Sequence, residues 1–241
     1  AGPSTGLPTK TEQSDLLMAM FGRHGEAPMP VLAAASASAC FNMTLEASRI
    51  ALKYMTPVLL LSDGYIGQAS EPWRIPKVED LPSIEPEFAT DVDEFGPYRR
   101  DPKTLRRMWA IPGFQGMEHR IGGLEKEDGS GNVSHDAANH EKMVHLRAAK
   151  VARVADDLPP LEIHGDADAD VLILGWGSTW AAIDAAVQRT RRRGQKVAWV
   201  HLVHLNPLPN DLGSILKSFK KVIVPELNLG QLCRIVRAEY L

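Results

Sequence analysis

The sequence predicts an α/β fold built on parallel sheets, and three observations support this prediction. Strand–helix–strand patterns occur near both ends of the 241-residue chain. The predicted strands are short and continuously apolar, as at 58–61 and 171–174, which is typical of strands covered on both faces. Helical segments with one apolar face lie between them and can serve as the crossovers that parallel strands require.

The first predicted α/β unit contains two helices and two strands. Its helices lie at about 9–22 and 38–54, and its strands at 30–35 and 56–63. Thr9 and Glu12 have the spacing of a capping box at the start of the first helix.

Residues 68–136 interrupt this regular pattern. Prolines recur throughout the range, and the aromatic residues follow neither a helical nor a strand period. Irregular segments of this length are uncommon in compact domains and are usually functional or covered by a partner. We therefore expect a long ordered excursion or a linker.

The second predicted unit follows a helix at 139–157 and a connector. Its strands lie at 170–175, 196–203 and 221–226, and helices follow each of them, the last from Asn228. This βαβαβα order predicts a second, separate parallel α/β domain. The predicted division of the chain is 1–136, 137–167 and 168–241.

Composition and charge argue against several classes of protein. With 27 Lys+Arg and 30 Asp+Glu, the net charge of −3 provides no basic surface for nucleic acid. No apolar run approaches the roughly 20 residues of a membrane span. Two cysteines, Cys40 and Cys233, are too few for a disulfide framework, so the default location is the reducing cytoplasm.

Two glycine-rich motifs allow more than one interpretation. GPSTG at 2–6 matches the nucleophile elbow of serine hydrolases, although no strand precedes it, and it could equally approach an anionic ligand closely. GWGST at 175–179 has the first two glycines of a dinucleotide motif but Trp180 at the third. A tight strand–helix turn is therefore favoured over an NAD site.

The histidines and glutamates at 118–145 do not predict a metal site. His140 and His145 lie five residues apart, about 500° around a helix, and do not share a face as the pair of HExxH does. A solvated polar face is favoured, and we predict no metal ligands in this chain.

Six segments in this order carry a resemblance to a known family. They are GPSTGLPTKTEQSDL (2–16), GRHGE (22–26), SDGYIG (62–67), EHRIGGLEKEDGSGNVS (118–134), LGWGST (174–179) and VPELNLGQL (224–232). Together they resemble the α subunit of 2-oxoacid:ferredoxin oxidoreductases, most closely the 2-oxoglutarate type. Because the chain opens without Met and closes on an uncapped helix, we expect it to be the C-terminal portion of that subunit.

The resemblance implies a fold and an activity. The first part would be a partial thiamine-pyrimidine-binding domain with a parallel sheet. The last part would be a transketolase C-terminal-like, three-layer α/β domain, short of its final residues. The complete enzyme would oxidatively decarboxylate a 2-oxoacid to an acyl-CoA and reduce ferredoxin.

The resemblance also implies cofactors and partners outside this chain. Thiamine diphosphate and Mg²⁺ would be bound with a β subunit, coenzyme A would be a co-substrate, and the assembly would be a heterotetramer. The rest of the α subunit and ferredoxin would be further partners. A [4Fe–4S] cluster needs about four thiolates, so with two cysteines here it is expected on the partner.

The resemblance places candidate substrate- or cofactor-proximal residues near the N-terminal loop. Ser4, Thr5 and Gly6 would approach the substrate carboxylate or its thiamine adduct. Lys10, Gln13 and His24 match family positions close to this loop, and Lys10 or His24 would suit the distal end of a dicarboxylate. The family's clamping arginine and its activating carboxylate lie upstream of the loop, so no catalytic residue is assigned in this chain.

Two alternatives remain at this stage. One is a serine hydrolase that uses Ser4 with Asp15 or Asp63 and a histidine. The other is a non-catalytic scaffold that binds the β subunit. Under the family resemblance, the start of the last helix at 228–232 is expected to pack on a partner chain rather than to act in catalysis.

Overall fold

The computed structural model describes residues 10–166 and 168–240, in which two sheets are flanked by helices. The strands are Val31–Ala33 (β1), Leu59–Leu61 (β2), His164–Gly165 (β3), Val171–Trp176 (β4), Ala198–Leu202 (β5), His204–Asn206 (β6) and Lys221–Ile223 (β7). The α-helices are Leu16–Phe21 (α1), Ala39–Tyr54 (α2), Gly64–Gln68 (α3), Ala137–Ala152 (α4), Trp180–Arg192 (α5), Leu212–Lys217 (α6) and Gln231–Tyr240 (α7). Across the two ranges, every helix falls short of the length and hydrophobicity that a bilayer crossing requires.

The first sheet has the order β2-β1-β6 and is mixed rather than parallel. β1 and β2 are parallel, with Leu32 opposite Leu60, as the sequence predicts. β6 lies antiparallel to β1 on the other side, and His204 is the partner of Leu32. The predicted parallel pair is therefore confirmed, and the sheet as a whole is mixed because a strand from residues 204–206 completes it.

The second sheet, in the order β3-β5-β4-β7, is the middle of a three-layer arrangement. β4 is parallel to β5 and β7, and the short β3 is an antiparallel edge. Ile183 and Val187 of α5 cover one face, where they pack on Trp199. The other face belongs to the large core cluster that includes Leu212 of α6 and Leu232 of α7. The expected three-layer α/β arrangement is present.

The two sheets share one hydrophobic core, so the two predicted units pack directly on each other. Leu16 of α1 and Val31 of β1 belong to the same buried cluster as Leu174 of β4 and Leu202 of β5. Residues 196–206 connect the two sheets, and this run contains the strand predicted at 196–203. It changes sheet at Val203 and supplies both β5 and β6.

Most helices lie where the apolar pattern of the sequence predicts them, but some of their ends differ. α2 ends at Tyr54, as predicted, and α4 continues as a 3₁₀ turn to Asp157. α1 begins at Leu16, where the predicted apolar helical face begins, and α7 begins at Gln231 rather than at the predicted Asn228. The capping box proposed at Thr9 falls outside the described residues. The sequence did not predict α3, although Asp63 caps it through the amides of Tyr65 and Ile66.

Residues 68–136 form an ordered excursion packed against the first sheet's helices. Within that range the structure shows one 3₁₀ turn, Val78–Asp80, and isolated β-bridges. The indole of Trp109 donates to the carbonyl of Leu52 at the end of α2 (2.8 Å). Arg153 donates to the carbonyls of Pro102 (2.6 Å) and Lys103 (2.8 Å). These contacts explain how a segment with little secondary structure holds its path.

Candidate active-site region

A small pocket with a cavity volume of about 30 Å³ opens where β1, β2 and β4 end. Its walls come from the residues just beyond these strands and from the segment that precedes α1. They are Glu12, Gln13, Ser14, Asp15, Ala33, Ala34, Leu61, Ser62, Asp63, Ile66, Trp176 and Gly177. Ligand sites in α/β folds characteristically lie at the carboxyl ends of parallel strands. Both sheets contribute to the pocket, so their shared core determines its shape.

The ionisable residues that the structure places around this pocket are acidic. Glu12, Asp15 and Asp63 are among its lining residues, and the described lining includes neither Lys nor Arg. Asp63 also joins the two sheets, because one of its carboxylate oxygens caps α3 and the other accepts the hydroxyl of Ser178. The pocket is therefore better suited to a neutral or cationic group than to a phosphate.

Gln13 is almost fully buried, with 4% of its surface exposed, and it anchors the N-terminal segment to the second sheet. Its side-chain amide donates to the carbonyl of Trp176 (2.8 Å), and its side-chain oxygen accepts from the backbone of Leu227 (3.0 Å). Its backbone N–H donates to the carbonyl of Leu227 (3.1 Å), and its carbonyl accepts from the side chain of Asn228 (2.9 Å). Every polar group of this residue thus has a partner.

Gly177 makes the close approach of Gln13 possible. Its φ of +58° lies in the left-handed region, and a Cβ at this position would stand 2.5 Å from Nε2 of Gln13. Glycine is the residue that tolerates both conditions. The predicted tight turn between β4 and α5 is confirmed by the 3₁₀ turn Gly177–Thr179.

The VPELNLGQL motif holds the other side of the same segment. The side chain of Gln231 accepts from the backbone of Leu17 (3.0 Å) and donates to the carbonyl of Ser14 (2.8 Å). Asn228 accepts from the backbone of Gln231 (2.9 Å) and donates to Gln13. We call the contacts of residues 13–17 with Trp176 and residues 226–233 the polar junction. The motif starts a helix, as expected, but the contacts seen here are with its own chain.

A second set of contacts links α2 to β6 and to Asp157. His204 of β6 donates to Glu46 (3.1 Å), and Arg49 pairs with both Glu46 (2.7 Å) and Asp157 (2.9 Å). Lys53 also pairs with Asp157 (2.6 Å). Burial alone would raise the pKa of Glu46, but the hydrogen bonds from Arg49 and His204 outweigh it and lower that pKa to about 2. We call this group the charged junction.

The structure brings only part of the predicted site set together. Gln13 lies at the pocket, whereas Ser4, Thr5 and Gly6 fall outside the described residues. Lys10 and His24 are exposed, and neither is among the residues that line the pocket. Their roles stay predictions.

Sequence reasoning missed the carboxylate of Glu226, and it named Asp63 only for the hydrolase alternative and not for the contacts it makes here. Asp63 follows an apolar strand and precedes a glycine, a pattern that signals a helix cap as much as a site. Glu226 lies in a motif that was recognised as characteristic, but its partners lie elsewhere in the sequence and could not be read from it.

Comparisons with known families match both parts of the chain. Residues 1–139 match the family described as pyruvate flavodoxin/ferredoxin oxidoreductase, thiamine diphosphate-binding. Residues 169–240 match the family described as pyruvate:ferredoxin oxidoreductase core domain II. The first match alone covers more than half of the chain.

Similar proteins carry consistent descriptions. The chain is 54% identical, over its full length, to the 2-oxoglutarate oxidoreductase subunit KorA of Mycobacterium tuberculosis, of which it covers 37%. It is 30% identical over 97% of its length to the 2-oxoglutarate synthase subunit KorA of Archaeoglobus fulgidus, of which it covers 60%. The chain therefore spans well under two thirds of these relatives, and this coverage does not support its assignment to their C-terminal portion.

A solved structure shows the same architecture. It is the 2-oxoglutarate:ferredoxin oxidoreductase from Magnetococcus marinus with 2-oxoglutarate, coenzyme A and succinyl-CoA bound. The match has a TM-score of 0.89 and 38% sequence identity, and it covers 99% of this chain and 42% of that one. Together with the family matches, this shows that the chain belongs to the 2-oxoacid:ferredoxin oxidoreductase family, in agreement with the resemblance of its motifs to the α subunit.

Proposed function

We propose that this chain is part of the α subunit of a thiamine-diphosphate-dependent 2-oxoglutarate:ferredoxin oxidoreductase. The enzyme would oxidatively decarboxylate 2-oxoglutarate, transfer the acyl group to coenzyme A and reduce ferredoxin. The observation that carries this proposal is the 54% identity, over all 241 residues, to a 2-oxoglutarate oxidoreductase subunit. The bound 2-oxoglutarate and succinyl-CoA named for the Magnetococcus enzyme support the choice of substrate.

The described pocket does not fit the diphosphate end of thiamine diphosphate. Its ionisable lining residues are Glu12, Asp15 and Asp63, and carboxylates repel a diphosphate unless a cation lies between them. We therefore assign the diphosphate and its Mg²⁺ to a site formed with the β subunit. No chemical step is assigned to the cofactor in this chain.

The iron–sulfur cluster is likewise assigned to a partner. Cys40 lies at the start of α2 and Cys233 lies in α7, and neither forms a disulfide. A cluster requires about four thiolates. In this proposal the electrons therefore pass through the β subunit to ferredoxin.

The proposed assembly is a cytoplasmic heterotetramer of α and β subunits, in which the remaining part of α is also present. Within it, Ser4, Thr5 and Gly6 approach the substrate carboxylate or its adduct. Lys10 or His24 faces the distal carboxylate of the substrate, since a cation there would favour a dicarboxylic acid. The polar junction holds residues 13–17, which lie between Lys10 and His24 in the sequence.

The test is an anaerobic assay of the full α subunit co-purified with its β subunit. We expect ferredoxin reduction that requires 2-oxoglutarate, coenzyme A and thiamine diphosphate, with kcat/KM for 2-oxoglutarate well above that for pyruvate. Preference for pyruvate would contradict the substrate, and no reduction with any 2-oxoacid would contradict the function.

Two further results would favour the alternatives. Labelling of Ser4 by a fluorophosphonate probe would favour a serine hydrolase. Unchanged turnover after both Ser4→Ala and Thr5→Ala would show that the loop has no chemical role, as expected for a scaffold.

A further inference from the structure

Glu226 is the most highly hydrogen-bonded carboxylate of the polar junction. One of its oxygens accepts from the indole of Trp176 (3.3 Å), the side chain of Asn228 (3.0 Å) and the backbone of Leu232 (2.8 Å). The other accepts from the backbone of Cys233 (3.0 Å). It therefore binds a side chain at the end of β4, a side chain of its own loop and the first turn of α7.

The contacts with α7 determine where that helix begins. Leu232 and Cys233 lie in its first turn, where backbone N–H groups lack partners within the helix. A carboxylate at this position satisfies two of them and interacts favourably with the helix dipole. Gln231, which contacts Ser14 and Leu17, is the first residue of the same helix.

Asn228 connects Glu226 to Gln13 by hydrogen bonds. Its side-chain amide donates to both the Glu226 carboxylate and the Gln13 carbonyl, so the carboxylate orients the amide toward Gln13. The indole of Trp176 adds a second route, because Gln13 donates to the Trp176 carbonyl. The two routes meet at a residue only seven positions from Gly6.

We propose that Glu226 is a positioning residue: through Asn228, Trp176 and the start of α7 it sets the place of residues 13–17, of which Gln13, Ser14 and Asp15 line the pocket. The proposal rests on the proposed function only for its effect on turnover. Its effect on the segment itself does not depend on which reaction the enzyme catalyses.

The first measurement is hydrogen exchange by mass spectrometry on the assembled α and β subunits. With Glu226→Ala, we expect exchange in peptides covering 10–20 to become at least about tenfold faster, because the amides of Gln13 and Leu17 donate within this junction. Peptides covering α2 should be unchanged. Unchanged exchange at 10–20 would overturn the proposal, whatever the reaction of the enzyme.

The second measurement compares kinetic constants. We expect Glu226→Ala to lower kcat/KM for the 2-oxoacid by about 10- to 100-fold, mainly through kcat, since displaced groups near a reacting centre cost most in the transition state. With Glu226→Gln, we expect kcat/KM to fall by less than about tenfold. One carboxylate oxygen accepts three of the four hydrogen bonds, and an amide oxygen at the same place can accept all three. Equal losses in the two variants would contradict the proposal.

Asp157→Ala is the matched control. This carboxylate also joins distant parts of the chain, through Arg49 and Lys53, but it has no contact with residues 10–17. It should change stability without changing exchange at 10–20 or the ratio of kcat to KM. The same response in both variants would show that Glu226 has only a general structural role.

Discussion

The polar and charged junctions both join segments that lie far apart in the sequence, but they use different chemistry. In the polar junction, neutral amide groups of Gln13, Asn228 and Gln231 bind backbone atoms. In the charged junction, Glu46 and Asp157 bind cationic or imidazole groups. Amide–backbone bonds depend on geometry and do not titrate, whereas carboxylate pairs depend on pH. The bonds that Gln13 makes beside the pocket are therefore of the kind that does not titrate, although the same junction also contains the carboxylate of Glu226.

Gly177→Ala tests the geometric demand of the polar junction and should have the largest effect on stability. We expect the free energy of unfolding to fall by about 3 kcal/mol, because left-handed strain and the displaced hydrogen bonds of Gln13 each cost about 1–2 kcal/mol. The matched control is Gly194→Ala, which has φ +77° but open space around its Cβ position. Urea unfolding of the purified subunit measures the free energy of unfolding of both variants. Equal losses would show that Gln13 can move away from the new Cβ without loss of stability.

Gln13→Ala tests the same junction from the other side. We expect a loss of about 1–3 kcal/mol, because the Trp176 carbonyl and the Leu227 N–H lose their buried partner. Gln188→Ala is the control, since that side chain contacts Asp184 on an exposed helix face and should change stability by less than about 0.5 kcal/mol. If both substitutions were equally mild, the polar junction would not contribute to stability.

Glu46→Gln tests the pH dependence of the charged junction and should be the mildest of the three at low pH. The pKa of Glu46 in the folded chain, about 2, lies below its ordinary value of 4.5, so the ionised carboxylate stabilises the fold above pH 4.5. At neutral pH we expect a loss of about 1–3 kcal/mol. The difference from the unsubstituted chain should shrink as the pH falls from 4.5 toward 2.

Urea unfolding measured at several pH values would show this trend. Lys220→Ala is the control, because its pair with Asp170 is largely exposed and should contribute less than about 1 kcal/mol. A loss that did not change with pH would show that Glu46 acts through packing rather than charge. Gln13→Ala should show such a flat profile, which would sharpen the contrast between the junctions.

The fold was predictable from the sequence wherever the local pattern of apolar residues shows which side chains are buried. α2 and β4 were found within one or two residues, because α2 repeats apolar side chains at the helical period and β4 is a short continuous apolar run. α3 was missed because five residues are too few for a period to show. The switch of residues 196–206 from one sheet to the other was missed because a continuous apolar run looks the same in either sheet.

By itself, the sequence determined the α/β class, most of the helices and strands, and the family, because these depend on local periodicity and on contiguous motifs. Only the tertiary structure decided that the two sheets share a core and that Gln13 is the centre of the polar junction. The reason is distance along the chain. Gln13 meets partners 163 and 215 residues away, and hydrogen bonds over such separations leave no repeating pattern in the residues between them.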